Sequence, residues 1–309
     1  MSKSPPFISD EDQHLSETTE SSPGIVNPLH LYFYSRGLKA LAHPLVLYAR
    51  VVTGSERNFI RLRIWLARRV YRPFGQGVCR FGPRSFLKST FSTRTAEAAN
   101  IEYIARNTTI PVPRVQDVFI INQRTYIIMD YINGFEFSHK ALSTEQQGVI
   151  FEELKGYITQ MRALKPTRPG RVESADGSGL CDSRFGTGPF FPPFESIEKF
   201  HSYLGHNVIL NSDKHRGARP RFQAMGKRQY CTKFTHSDIA PRNIIVKNGK
   251  IAAIIDWEMA GWYPEYWEYT RWDDFRFSQR WRDLREEVLD CYLEESWVEK
   301  YLASVFTRC

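Results

Sequence analysis

Cysteine is scarce in this chain. Cys79, Cys181, Cys231, Cys291 and Cys309 are odd in number, widely scattered and without a CxxC pair. That pattern excludes a disulfide framework and a cysteine zinc site, and it suits a reducing compartment. No apolar run approaches the length that spans a bilayer. The opening residues, MSKSPPFISDEDQ, lack the apolar core of a signal peptide. A cytosolic location is therefore expected. A glycine-rich phosphate loop is missing as well: Gly75, Gly77 and Gly82 do not complete a GxGxxG pattern. His236 and Asp238 have no further His or Asp cluster beside them in sequence, which removes a metallohydrolase.

What the 309 residues do contain is 42% apolar and 14% aromatic side chains, enough for one large domain or two small ones. The formal charge of +8 is unevenly spread. Residues 1–28 carry Lys3 against Asp10, Glu11, Asp12, Glu17 and Glu20, are rich in Ser and Pro, and read as a disordered tail. Between Arg50 and Arg94 eleven basic residues face one acid, Glu56. Residues 29–72 read as a helical extension. Within it, Phe59, Leu62, Leu66 and Val70 share one side of a helix, opposite Arg57, Arg61, Arg68 and Arg72. That Leu/Val face is expected to pack on the domain, with weak contact to a membrane surface as the alternative.

From Pro73 the pattern changes to short apolar alternations. Residues 75–82 and Ser85 to Lys88 read as two strands joined by a turn; STRTAEAANIEYIARN as a helix that buries Ala96, Ala99, Ile101 and Ile104; and IPVPRVQDVFI and INQRTYIIMDYING as two more strands. Gly134 and the polar residues after it mark a boundary, so that 73–132 form one lobe and 133–309 a second. Ser143 or Thr144 caps a helix over residues 143–164, with Val149, Leu154, Ile158, Met161 and Leu164 as its apolar contacts. Lys165 to Pro193 reads as a long loop, Ser196 to Leu210 as helix, Asp213 to Arg228 as a basic loop, and Thr270 to Phe306 as helix rich in acids.

The stretch that organises the rest is FTHSDIAPRNIIVKNGKIAAIIDWEMAGWYPEYWE, Phe234 to Glu268. Asn248-Gly249 favours a type I′ hairpin turn. Centred there, the turn sets Val246 opposite Ile251, Asn243 opposite Ile254 and Pro241 opposite Asp256. Asn243 and Asp256 would then project from one face, roughly 7 Å or less apart. An amide oxygen and a carboxylate at that separation suit a hard cation such as Mg²⁺. Asp238 precedes the strand, free to act on what the metal holds, which is the arrangement of a kinase catalytic loop.

With these parts in order, roughly Pro73 to Arg282 resembles the aminoglycoside phosphotransferase and choline-kinase-like family, of the kind abundant in fungi. The resemblance rests on THSDIAPRNIIV, GKIAAIIDWEMAGWYPEYWEY and NTTIPVPRVQDVF, with weaker support from YIIMDYINGFEF and GTGPFFPPFES. It implies an α+β, bilobal, protein-kinase-like fold. A small N-lobe antiparallel sheet with one helix would sit above a larger, mainly helical C-lobe that carries a catalytic-loop hairpin. It implies Mg²⁺-assisted, ATP-dependent phosphorylation of a hydroxyl on a small-molecule acceptor by a monomer, with no nucleic-acid partner. By position, Asp238 resembles the catalytic base, His236 the residue that orients its loop, and Asn243 and Asp256 the magnesium ligands. Lys88 and Glu97 resemble the pair that positions the nucleotide phosphates. Gly75 and Gly77 would border those phosphates, and the backbone of Asp130, Tyr131 and Ile132 would take the adenine edge. Departures from the family pattern are Ser237 in place of glycine, SFLKST around the lysine, and the degraded glycine turn. They leave an inactive kinase-like binding protein as the alternative. A protein kinase fits less well, because no APE-like segment follows Asp256. Serine at 237 is unstrained only if its φ is negative; a positive φ would cost about 1–3 kcal/mol.

Overall fold

The computed structural model describes residues 49–71, 74–75, 77–90, 95–138, 142–182, 190–272 and 278–306. The expected tail at 1–28 and residues 29–48 of the expected helical extension lie outside the described residues. In chain order the elements begin with β1 (Arg50–Val51), α1 (Gly54–Val70), β2 (Val78–Arg80), β3 (Ser85–Ser89), α2 (Ala96–Asn107), β4 (Val115–Ile121) and β5 (Arg124–Asp130). The five strands form one sheet in the order β1-β4-β5-β3-β2. Four are antiparallel, as expected, and β1 adds a parallel edge against β4.

Alternation along these strands gives the sheet two apolar faces. Val118, Ile127 and Met129 point towards Ile101 and Ile104 of α2. Phe119, Ile121, Cys79 and Leu87 point the other way, onto Ile60, Ile64 and Ala67 of α1. The lobe thus has a helix on each face, one more than the sequence suggested. The packing of α1 also reverses the expectation: Ile60 and Ala67 are buried, whereas Phe59, Leu62, Leu66 and Val70 are exposed. The sheet selects the stripe containing the small Ala67, which lets the helix approach closely. The turn between β4 and β5 takes positive φ at Asn122 (48°) and Gln123 (60°), so the strands reverse in two residues.

The second lobe follows with β6 (Phe135–Glu136), α3 (Thr144–Ala163), β7 (Leu180–Cys181), β8 (Phe190–Phe191), α4 (Ile197–Tyr203), α5 (His206–Asn211) and α6 (Arg219–Lys227). Then come β9 (Thr232–Thr235), β10 (Ile244–Lys247), β11 (Lys250–Ile254), β12 (Gly261–Pro264), α7 (Trp267–Arg271), α8 (Gln279–Val288) and α9 (Leu293–Val305). Ser143 caps α3 through a reciprocal pair with Gln146. Leu154, Ile158 and Met161 are buried as expected, but Val149 is exposed. The expected basic loop at 213–228 is largely the helix α6, and the helix around 196–210 is broken in two at Gly205, whose φ is +98°. An aromatic cluster containing Phe200, Phe222, Tyr263, Tyr266 and Trp267 joins α4, α5, α6 and α9.

Candidate active site

The hairpin β10–β11 turns where the sequence predicts, with positive φ at Asn248 and Gly249, and Val246 pairs with Ile251. Beyond that pair the expected register fails. Ile245 pairs with Ala253 and Ile244 with Ile254, so Ala252 is an extra residue in a bulge. Asn243 therefore does not face Ile254; its carbonyl accepts the N–H of Ile255 at 2.9 Å. Pro241–Asn243 is one turn of 3₁₀ helix, and Asp256 opens another at Trp257–Met259. The side chains of Asn243 and Asp256 are aimed by these turns and not by strand alternation.

Asp238, His236 and Asn243 form one hydrogen-bonded loop. The Asn243 Nδ2 donates to the Asp238 backbone oxygen (2.9 Å) and carboxylate (2.8 Å). This aims the Asn243 Oδ1 away from Asp238. Arg242 donates to both Asp238 oxygens, at 2.6 and 2.7 Å. Buried His236 accepts the Asp238 N–H on Nδ1 (3.2 Å), so its Nε2 carries the proton and donates to the Ile255 carbonyl (3.1 Å). Burial holds its pKa below the ordinary histidine value, consistent with a neutral ring.

Ser237, between them, has φ +67° and is strained in the sense that a positive angle implies. Two side chains hold it there. The fully buried Glu268 accepts the N–H groups of His236 (2.7 Å) and Ser237 (3.3 Å), and Arg271 donates to the Ser237 carbonyl (2.7 Å). Asp256 has φ +66° as well.

Lys88, on β3, lies among three carboxylates. Its Nζ is 2.6 Å from Asp256, 2.9 Å from Glu97 on α2 and 3.1 Å from Glu258. Burial disfavours its charge, but these three neighbours outweigh burial and hold its pKa well above the ordinary value. Burial pushes Glu97 up to about 7, because Asp256 and Glu258 add to it and Lys88 only partly offsets it. For Asp256 the balance is opposite: burial raises its pKa, but Lys88 holds it below the usual range. Three acids against one ammonium leave the cluster with an excess of negative charge.

The remaining expected residues are placed less simply. The Gly77 carbonyl accepts the Ser89 N–H at 2.7 Å, and a Cβ at Gly77 would stand 2.9 Å from the Ser89 oxygen, so this glycine is needed for close packing beside Lys88. Gly75 bridges to Val78. The N–H groups of Asp130 and Tyr131 are spent within the lobe, on the carbonyls of Arg114 and Arg84. Of the backbone groups of 130–132 expected at the adenine edge, these two donors are thus spent, and the N–H of Ile132 is the donor left to consider.

Glu258, for which the resemblance implies a scaffold behind the metal site, lies directly against Lys88. Two residues at this site were not anticipated. Glu268 clamps the loop. Asn100 is fully buried in α2 and uses its whole amide: Nδ2 donates to Trp257 O (3.0 Å) and Ala260 O (2.8 Å), and Oδ1 accepts from Ala175 N (3.0 Å) and Ser174 Oγ (3.2 Å). A glutamate inside the aromatic run YWEYTRW and an asparagine inside EAANIEYI are polar groups at apolar positions, and that was the available signal.

The model of the phosphotransferase enzyme family matches residues 63–299. No curated protein matches the chain. A solved structure described as a fructosamine-3-kinase, from Haemophilus somnus 129PT, superposes with a TM-score of 0.51 at 17% identity, over 77% of this chain and 83% of that one. Aminoglycoside phosphotransferase APH(4)-Ia gives 0.49 at 14% identity, over 81% and 83% of the two chains. Macrolide 2'-phosphotransferase MphH from Brachybacterium faecium gives 0.47 at 14%, over 79% and 89%. At 17% identity the likeness to the fructosamine-3-kinase structure speaks for the fold alone, which is bilobal and protein-kinase-like. With well over half of its length matched by that model, the chain belongs to the phosphotransferase enzyme family.

Proposed function

We propose that this phosphotransferase moves the γ-phosphoryl group of ATP to a hydroxyl of a small molecule, with Mg²⁺ as cofactor. The observation that carries the reading is the Lys88 ammonium, held by Glu97 of α2 and Asp256 of the following lobe at 2.9 and 2.6 Å. One cation fixed from both sides at the junction of the lobes is suited to orient nucleotide phosphates.

The donor set suits a hard divalent cation. The Asn243 Oδ1 is turned away from Asp238 by its own amide, and Asp256 has a second oxygen beyond the one on Lys88. The surplus negative charge around Lys88 would repel a polyphosphate without a counter-cation. Asn243 and Asp256 are the residues that would hold Mg²⁺, which neutralises charge on the β- and γ-phosphates when bound.

Asp238 is the base. Its carboxylate accepts the acceptor's hydroxyl proton as the new O–P bond forms and the bond from γ-phosphorus to the bridging oxygen breaks, leaving ADP. His236, Glu268 and Arg271 hold the loop so that this carboxylate is positioned in advance. Gly75 and Gly77 border the phosphates, and Ile132 offers the N–H to the adenine edge.

The test is Mg²⁺-ATP consumption against a panel of amino alcohols, aminoglycosides and sugars. Acceptor-dependent turnover that Asp256→Asn abolishes, with the fold intact, is expected. Unchanged ATP consumption by that variant would overturn the metal assignment, and nucleotide binding without turnover on any acceptor would favour a binding protein.

A further inference from the structure

Helix α1 has two apolar sides, and the fold uses only one. Ile60, Ile64 and Ala67 pack on the sheet. Phe59, Leu62, Trp65, Leu66 and Val70 face outward, between 45% and 72% exposed. Large apolar side chains scattered singly over a surface are ordinary, but five on one helix make a patch that calls for a partner.

The charge of the helix narrows the choice. It holds Arg57, Arg61, Arg63, Arg68 and Arg69 against Glu56 alone, a net charge of +4. Glu56 is itself paired with Arg50. The guanidinium groups are interleaved with the apolar patch: Arg69 lies over the Trp65 ring at 5.1 Å and Arg63 over Phe59 at 5.9 Å. The core of a protein–protein interface admits arginine beside its aromatics but is otherwise depleted of charge, so a net charge of +4 on one helix of 17 residues suits an anionic surface better, and nucleic-acid phosphates have no use for Leu62, Leu66 and Val70. A surface with apolar chains below and phosphates above satisfies both sets at once.

We infer that α1 docks this protein on an anionic lipid surface, with Phe59, Leu62, Trp65, Leu66 and Val70 entering the acyl boundary while Arg61 and Arg69 reach the headgroup phosphates. Arg68 is turned to the buried Cys79 instead. The helix lies in the membrane plane: its 17 residues carry too much charge to cross, and no described helix is long and apolar enough to do so. α1 covers the sheet face opposite α2, the helix that reaches Lys88, so docking leaves the cleft uncovered. The inference does not depend on the proposed phosphoryl transfer.

Vesicle co-sedimentation of the full chain tests it, with phosphatidylcholine alone and with equal parts of phosphatidylcholine and phosphatidylserine. Trp65 is the probe, because it is exposed while Trp257, Trp262, Trp267, Trp272 and Trp281 are buried and Trp297 is half-buried. The mixed vesicles are expected to pellet the protein and to blue-shift its emission, a shift that Trp65→Phe removes. Leu62→Glu with Leu66→Glu is expected to lower partitioning about 100-fold, about tenfold for each leucine kept out of the acyl region. Arg61→Gln with Arg69→Gln should lower it about 25-fold on mixed vesicles only, about fivefold per charge. These positions are exposed, so melting temperatures should stay near that of the wild type, which separates lost docking from lost folding. Absence of binding to mixed vesicles would overturn the inference. So would wild-type binding by the double Glu variant, since the arginines alone would then be attracting any polyanion, nucleic acid included.

Discussion

Glu268 accepts the backbone N–H of Ser237 at 3.3 Å, and Ser237 is the residue of that loop with φ at +67°. A second bond, from His236 N–H to the same oxygen at 2.7 Å, and one from Trp272 Nε1 to the other oxygen at 3.1 Å engage both oxygens of the carboxylate. The conformation that sets Asp238 is thus imposed from α7 and not chosen by the loop.

Replacing Glu268 by Gln turns an amide NH₂ towards at least one of those donors. We expect a loss of about 2 kcal/mol in stability, read by denaturant unfolding. Turnover should fall about 10²-fold through misplacement of Asp238, with KM for the nucleotide much less changed. An equal change in KM would mean that Glu268 acts on the nucleotide lobe instead.

Ser237→Gly removes the penalty of a positive φ but adds chain entropy to the unfolded state. The net expectation is a gain of about 1 kcal/mol with turnover preserved, measured by thermal unfolding and ATP consumption. A β-branched residue there, as in Ser237→Val, should destabilise.

Asn100 joins α2 to the turn after Asp256 and to Ser174–Ala175. Asn100→Ala leaves two carbonyls and an N–H without their partner and should cost about 3 kcal/mol. Asn100→Asp should cost more, because it sets an anion against the oxygens of Trp257 and Ala260. Both should raise KM for the nucleotide, since Glu97 on the same helix loses its fixed distance to Lys88.

If Asp238 is the base, Asp238→Asn should lower turnover about 10²–10⁴-fold while nucleotide affinity, measured by titration calorimetry, stays close to that of the wild type. Equal loss of both would make the residue a loop support.

Acid should unfold this protein partly through His201. Burial pushes its pKa down to about 4, against a weak opposing pull from Glu198, and its Nε2 is bonded to the Tyr266 hydroxyl at 2.9 Å. The folded value lies below the unfolded one, so the contribution is complete above about pH 6.5 and is lost as pH falls towards 4. Its size is about 3 kcal/mol, from about 2.5 pKa shifts of 1.36 kcal/mol each. His201→Phe should start from lower stability, because its hydrogen bond to the Tyr266 hydroxyl is lost, but show a flatter profile across that window.

Much of the chemistry was legible beforehand because it depends on spacing. His236, Asp238, Asn243 and Asp256 announce themselves by residue type and interval, and Asn248-Gly249 by the φ angles its turn demands, whereas the pairing of Lys88 with Glu97 was implied only by the family resemblance, since a strand lysine and a helix glutamate at that spacing are commonplace. Less legible was anything that depends on what lies opposite. A bulge at Ala252 moves Asn243 off the expected face, and no local rule places a bulge. The outward face of α1 was misassigned because an amphipathic pattern says that a helix has an apolar stripe, not which of two stripes the sheet will accept.

The sequence by itself determined the hairpin turn, the antiparallel strands around Lys88 and the helices α2 and α3, since these follow from local backbone preference and periodicity, and it singled out His236, Asp238, Asn243 and Asp256 as candidates. The tertiary structure alone decided that Lys88 is ringed by Glu97, Asp256 and Glu258, that Glu268 and Arg271 clamp a strained Ser237, and that Phe59, Leu62, Leu66 and Val70 face outward. Each of these is a contact between distant segments, and such contacts are fixed by how layers pack and by where buried polar groups must find partners, neither of which is written in a neighbouring residue.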